Sequence, residues 1–261
     1  MTRVSVIMAA GGTRPEALEN VLNSWSRVTH EDLEFILIYS GLEDESDYGV
    51  VEKLVAEHES LITIFEISKF GKSTFASTSR IWHEWGKKCT GEYIVFAMAD
   101  EILRDYDLLE IMLDTHKERR TSVATFFLNP TQTEQLKGIH WLDNPRLIEE
   151  LPGFWTHCDF EGAPNTTRGG AVVCHISGAW REYWEWLGWH RDDEFGYLNL
   201  DQDIIVRENF MGRWVLDVSA CYHQWHGAGN AYVPDDHRLS PYIYTTEAQA
   251  KLLEPAERWK P

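Results

Sequence analysis

Three groups of side chains in this sequence have types and spacings that could do chemistry. The first is Asp100-Glu101, an acidic pair just behind the apolar run Tyr93-Ile-Val-Phe-Ala97. Carboxylates at the end of a buried strand stand where open α/β sheets bind ligands, and Mg²⁺ or Mn²⁺ takes a few such oxygens together with phosphates. Asp100 is therefore the first choice of metal ligand. Taken alone, such a pair is more often a solvated loop that opens the next helix, so the surrounding sequence decides. The second group is Asp201 and Asp203, ahead of a helical segment, where Asp201 can cap the helix and Asp203 can favour its positive end. The third is His223 and His226, with Trp225 between them. Two histidines three apart in a Trp-rich stretch serve packing or acceptor contact more often than a shared ion, and the face of Trp225 suits a sugar ring.

The apolar pattern supplies the elements that must position these groups. A strand over 4–8 is stopped by Gly11-Gly12. Thr13 and Glu16 then have capping-box spacing, and Leu18, Val21, Leu22 and Trp25 fall on one face of the helix that follows. Further strands are expected over 35–39, 61–65, 93–97 and 122–127, and helices over 74–88 and 107–119. The pattern dissolves after 127 and returns near 168 with a strand over 171–176, a helix over 178–186, a helix behind Asp203 and a strand over 214–217. Strands that alternate with helices imply an α/β fold with a mostly parallel central sheet flanked by helices. The tail 227–261 opens on Gly-Ala-Gly-Asn-Ala, a composition suited to a hinge, and reads as a lid or an oligomer contact.

Composition narrows the partners. With 261 residues and 43% hydrophobic content the chain can bury one substantial core. Its formal charge of −18 repels phosphate backbones and anionic membranes, which argues against nucleic acid. A small diphosphate is still admissible, because one divalent cation and a helix N-terminus can hold it locally. The four cysteines lie far apart without C-x-x-C spacing, as expected in a reduced cytoplasmic compartment. No apolar run approaches the ~20 residues a membrane span needs.

Four segments, in order, resemble the GT-A glycosyltransferases of family 2. Val4-Ser-Val-Ile-Met-Ala-Ala10 is similar to the family's first strand, whose following loop holds the nucleoside, so Ala9, Ala10 and Gly11 would line it. Gly91 to Ile102 resembles the strand and acidic loop that bind the metal; Met98 and Ala99 stand where a further carboxylate is often found. Gly188-Trp-His-Arg-Asp-Asp-Glu-Phe through Asp201-Gln-Asp-Ile-Ile-Val-Arg207 is the most specific match, and by it Asp201 is the general base and Asp203 a supporting carboxylate, with Leu200 replacing the usual Glu. Ala220-Cys-Tyr-His-Gln-Trp-His226 aligns His223 with a histidine that closes the metal shell or contacts phosphate. Ser40 stands in the Tyr39-Ser-Gly-Leu42 segment, where members carry an aspartate that reads uracil, and Arg80 lies near the family's phosphate-binding arginine. The resemblance implies one GT-A catalytic domain over 1–226, with a nucleotide-binding half over 1–103 and an acceptor-binding half over 104–226. It further implies a nucleotide-diphosphate sugar donor bound with Mn²⁺ or Mg²⁺, and transfer with inversion to a hydroxyl of a glycan or other acceptor held by Trp225 and His226.

Two other readings compete. Ala9-Ala-Gly-Gly-Thr-Arg14 resembles the loop of sugar nucleotidylyltransferases, although it is one residue short and lacks the lysine expected after it. The missing carboxylates at Met98 and Ala99 also admit a degenerate scaffold that binds glycans or a protein partner; Asp100, Asp201 and His223 argue for an enzyme. Glycosylation of a nucleobase on DNA would need a basic groove, which the net charge opposes.

Overall fold

The computed structural model describes residues 1–11, 15–40, 46–68, 75–115, 117–137, 140–150, 155–156, 176–190, 204 and 216–224. The first half builds β1 (Val4–Gly11), α1 (Pro15–Trp25), β2 (Leu33–Ser40), α2 (Ser46–Glu57), β3 (Ile64–Ile67), α3 (Phe75–Lys88) and β4 (Tyr93–Met98). There follow β5 (Glu101–Leu103), α4 (Leu108–Leu113), β6 (Thr121–Phe127), α5 (Pro130–Gln135), β7 (Trp155–Thr156), β8 (Ile176–Trp180), α6 (Arg181–Leu187) and β9 (Leu216–His223). The strands form one mixed sheet in the order β3-β2-β1-β4-β8-β6-β9-β5, with β7 paired to β6 off this path. Pairing is parallel through β3-β2-β1-β4; β8 runs antiparallel to both β4 and β6, and β9 is parallel to β6.

The central strands are apolar on both faces because both faces are covered. Val6, Met8, Phe35, Leu37 and Val95 pack with Leu18, Val21, Leu22 and Trp25, the expected apolar face of α1. Ile7, Ile36, Ile94 and Phe96 pack on the other side with Ile81 and Trp82 of α3 and Tyr183, Trp184 and Leu187 of α6.

Several boundaries differ from the sequence expectation for local reasons. The third strand starts at Ile64 because the amides of Leu61 and Ile62 turn back to the carbonyl of His58. The helix expected over 178–186 begins at Arg181; Gly178 belongs to β8, opposite Val95, where a Cβ would come within 2.6 Å of the Tyr93 ring. The helix expected over 107–119 stops at Leu113. The last strand, expected over 214–217, continues to His223 and so carries that histidine within a ladder. Unforeseen elements are α2, β5, α5 and β7; α5 is started by a capping box between Asn129 and Gln132. Strand residues 171–175, the helix behind Asp203 beyond Ile204 and the tail 227–261 lie outside the described residues. Among the described residues no helix is long and apolar enough to cross a membrane.

At the N-terminal end of the sheet, Glu34 is a buried carboxylate that accepts hydrogen bonds from Ser5 Oγ, from the Thr90 amide at 2.7 Å and from Thr90 Oγ1 at 2.9 Å. Burial alone would raise its pKa, but these donors outweigh burial and hold it below the usual 4.5. The stabilisation is therefore present above pH 4.5 and is lost as pH falls through the lowered folded value. Glu34→Gln should cost about 1–3 kcal/mol at neutral pH. In urea unfolding, the gap between wild type and variant should close on acidification; a gap independent of pH would show that ionised Glu34 is not the source.

Candidate functional site

Parallel register gathers the expected nucleoside residues at one edge. Gly11 pairs with Ser40, Ala10 with Tyr39 and Ala9 with Met98, so the carboxyl ends of β1, β2 and β4 stand side by side, with Asp100 two residues past Met98. This is the edge at which open α/β sheets take ligands. Ala9 and Ala10 are buried, and small side chains there let a ligand approach the backbone. Ser40 is only 1% exposed and its Oγ has no hydrogen-bond partner among the described residues. A buried hydroxyl left this way costs about 1–3 kcal/mol, a penalty that a polar ligand group removes. Arg80 lies on the second turn of α3 and is exposed.

A second strand pair brings the expected metal ligands together. β5 runs antiparallel to β9, with Glu101 opposite His223 and Leu103 opposite Cys221. Alternation along both strands then puts Glu101, Cys221 and His223 on one face. Asp100, in the turn before β5, accepts at its main-chain oxygen from the Gln224 amide (3.0 Å), and its Oδ2 lies 3.3 Å from His223 Nε2. One ligand atom from each of Asp100, Glu101 and His223 falls within 4.8 Å of the others. Glu101 is fully buried and its Oε2 accepts from the Cys221 thiol at 2.9 Å.

The electrostatics follow from two carboxylates facing one imidazole. Burial lowers the pKa of His223, yet the charge and hydrogen bond of Asp100, with the charge of Glu101 behind it, outweigh burial and raise it from 6.5 to about 9. Burial, then the adjacent charge of Glu101, pushes the Cys221 thiol well above its usual 9.0, so it stays a neutral donor. The imidazolium proton therefore sits between two carboxylates, where a divalent cation would compete with it. Two hard carboxylates and one borderline nitrogen suit Mn²⁺ better than Mg²⁺, which prefers oxygen throughout. The donor set fits such an ion.

Of the other expected site residues, Asp201, Trp225 and His226 lie outside the described residues. The described start of the Asp201 segment is the end of α6, where Gly188 (φ 85°) and Trp189 (φ 64°) turn left-handed. Trp184 and Trp189 are buried in the core, the latter against Gly86 of α3. The tryptophans around α6 thus serve mainly packing. Two participants were not singled out from sequence: Cys221 as a donor to Glu101, and Gln224. The alternation Cys221-Tyr222-His223 was a usable signal for Cys221 once a strand was extended through it.

No protein-family model matches the sequence, and no curated protein matches it at a significant level. Solved structures do match in fold. A mannosyltransferase from Pyrobaculum calidifontis, PcManGT, in complex with GDP-Man and Mn²⁺, superposes with a TM-score of 0.56 at 17% identity, over 88% of this chain and 59% of that one. GalNAc-T7 with UDP, GalNAc and Mn²⁺ gives 0.58 at 12% identity, over 98% and 48%. TarS 1-349 from S. aureus gives 0.53 at 12% identity, over 85% and 60%. The chain therefore spans roughly half to three fifths of these structures, and it has the GT-A nucleotide-diphospho-sugar transferase fold.

The raised pKa of His223 has a measurable consequence in metal-free protein. Its stabilisation is fully present below pH 6.5 and is lost as pH rises through about 9. With EDTA present, the stability of wild type over His223→Asn should decline across that window. A difference that grows with pH there would mean that His223 is not held as the imidazolium by Asp100.

Proposed function

We propose that the protein is a metal-dependent glycosyltransferase that moves a sugar from a nucleotide-diphosphate donor to a hydroxyl of a glycan or other acceptor, with inversion. The observation that carries this reading is the Asp100, Glu101 and His223 cluster beside the carboxyl edge of the parallel strands in a GT-A fold. The roles follow from chemistry and position. Asp100 and His223, with Glu101, hold the cation. When bound, Mn²⁺ supplies the positive charge that neutralises the departing diphosphate. Ala9, Ala10 and Gly11 line the nucleoside, Ser40 hydrogen-bonds its base, and Arg80 contacts phosphate. Asp201 takes the proton from the acceptor hydroxyl, whose oxygen bonds to the anomeric carbon as the bond from that carbon to the diphosphate oxygen breaks. Trp225 and His226 contact the acceptor. Residues 1–103 and 104–226 are the donor and acceptor halves.

Ser40 in place of a carboxylate supports a donor site not confined to uracil, so UDP and GDP both belong in the test. A nucleoside diphosphate should raise the melting temperature more with Mn²⁺ than with EDTA, because the ion bridges carboxylates and phosphates; equal shifts in both would contradict the reading. Asp201→Asn should keep that Mn²⁺-dependent shift and lose about 10²–10⁴-fold in turnover. Asp100→Asn should lose nucleotide affinity and turnover together, with excess metal restoring part of both. Near-normal turnover in Asp201→Asn at unchanged stability would remove it as the base.

A further inference from the structure

Directly behind His223, one residue past β9, sits Gln224, a fully buried residue whose backbone amide and side-chain amide both reach elements of the first half of the chain. Its backbone amide donates to the main-chain oxygen of Asp100 at 3.0 Å. Its side-chain Nε2 donates to the carbonyl of Ala17 at 2.9 Å, and its Oε1 accepts from Asn20 Nδ2 at 2.8 Å. Ala17 and Asn20 are in the first two turns of α1, the helix that follows β1 and the Gly11-Gly12 turn. One residue thus touches both the metal-ligating turn and the helix behind the nucleoside-binding strand end.

We propose that Gln224 is a positioning residue that couples the cation site to the nucleoside-binding end of β1. This rests on the nucleotide-donor reading above. The side-chain amide cannot be neutral filler, because a buried carboxamide is tolerated only where its donors and acceptor are matched, and here both ends are spent on α1. The backbone bond holds Asp100 whatever the side chain is. The side chain adds a tie that holds α1 against the corner of Asp100 and His223, alongside the hydrogen bond from the Leu103 amide to Ser24 Oγ of α1. A cation on those ligands and a nucleoside at Ala9 to Gly11 then meet a diphosphate at one spacing, and each favours the other's binding. Without the amide the two subsites remain but their spacing loosens.

The test reads coupling, which a purely structural role would not move selectively. Mn²⁺ affinity is measured by electron paramagnetic resonance with no nucleotide and with saturating UDP or GDP, whichever binds better, on wild type, Gln224→Met and Asn20→Ala. Gln224→Met keeps length and burial but has no amide; Asn20→Ala removes one bond at a half-buried helix position and guards against a Gln224 variant that fails to fold. Wild type should bind Mn²⁺ more tightly with nucleotide. Gln224→Met should reduce that enhancement about 10-fold, the scale of residues that orient metal ligands, while Mn²⁺ affinity without nucleotide stays within about twofold. Asn20→Ala should reduce it by a smaller factor, and the double variant should be no worse than Gln224→Met. Enhancement retained in both single variants, or Mn²⁺ affinity lost equally with and without nucleotide, would overturn the coupling role and leave the donor reading standing. No enhancement in wild type would instead defeat the donor reading, and this inference with it.

Discussion

The pairing of β5 with β9 is the constraint on which the site depends. Asp100 and His223 are far apart in the chain, and only the register that sets Glu101 opposite His223 brings the imidazole to the carboxylate. A one-residue slip would send His223 and Cys221 to the other face of the sheet. Irregular pairing on the neighbouring strand fixes the register: Ser122 pairs with Asp217 but Val123 with Ser219, so Val218 is the extra residue of a bulge. Beyond it, β9 runs parallel to β6 without interruption as far as Phe127 and His223, and the amide of Leu128 closes on the His223 carbonyl at 2.9 Å.

That geometry concentrates negative charge where burial makes it costly. Two carboxylates share a nearly water-free corner with one imidazole, and the imidazole keeps a proton there against the effect of burial. The Cys221 thiol, kept neutral by burial and by the charge of Glu101, satisfies part of Glu101 without adding charge. An arrangement of this kind is poor as a purely structural ion pair, since apolar packing of equal volume would be as stable. It is reasonable as a cation site. The acidic surface does not conflict with a diphosphate ligand, because the ion cancels the local charge where the phosphates would lie.

Much of the parallel part of the sheet was legible in the sequence. The runs around Val6, Ile36 and Ile94 are unbroken apolar strands, and Leu18, Val21, Leu22 and Trp25 form the face of α1 that they need. Asp100 and His223 were legible through their place at strand ends and in matched segments. Other features depend on contacts that no local pattern encodes. Gly178 reads as a helix start, but it is in a strand because the Tyr93 ring lies against it. Glu101 reads as solvated, but three residues of β5 pair with β9 and bury it. Gln224 is one polar letter among aromatics, and its hydrogen bonds to α1 exist only after β9 and α1 are docked.

The most direct measurement is pulsed electron paramagnetic resonance of the protein with Mn²⁺ and a nucleoside diphosphate. If Asp100, Glu101 and His223 hold the ion and the ion holds the diphosphate, the spectrum will show one directly bound nitrogen, lost in His223→Asn, together with phosphorus coupling from the nucleotide. Mn²⁺ bound to nucleotide with no protein nitrogen, or a nitrogen coupling that survives His223→Asn, would contradict the account.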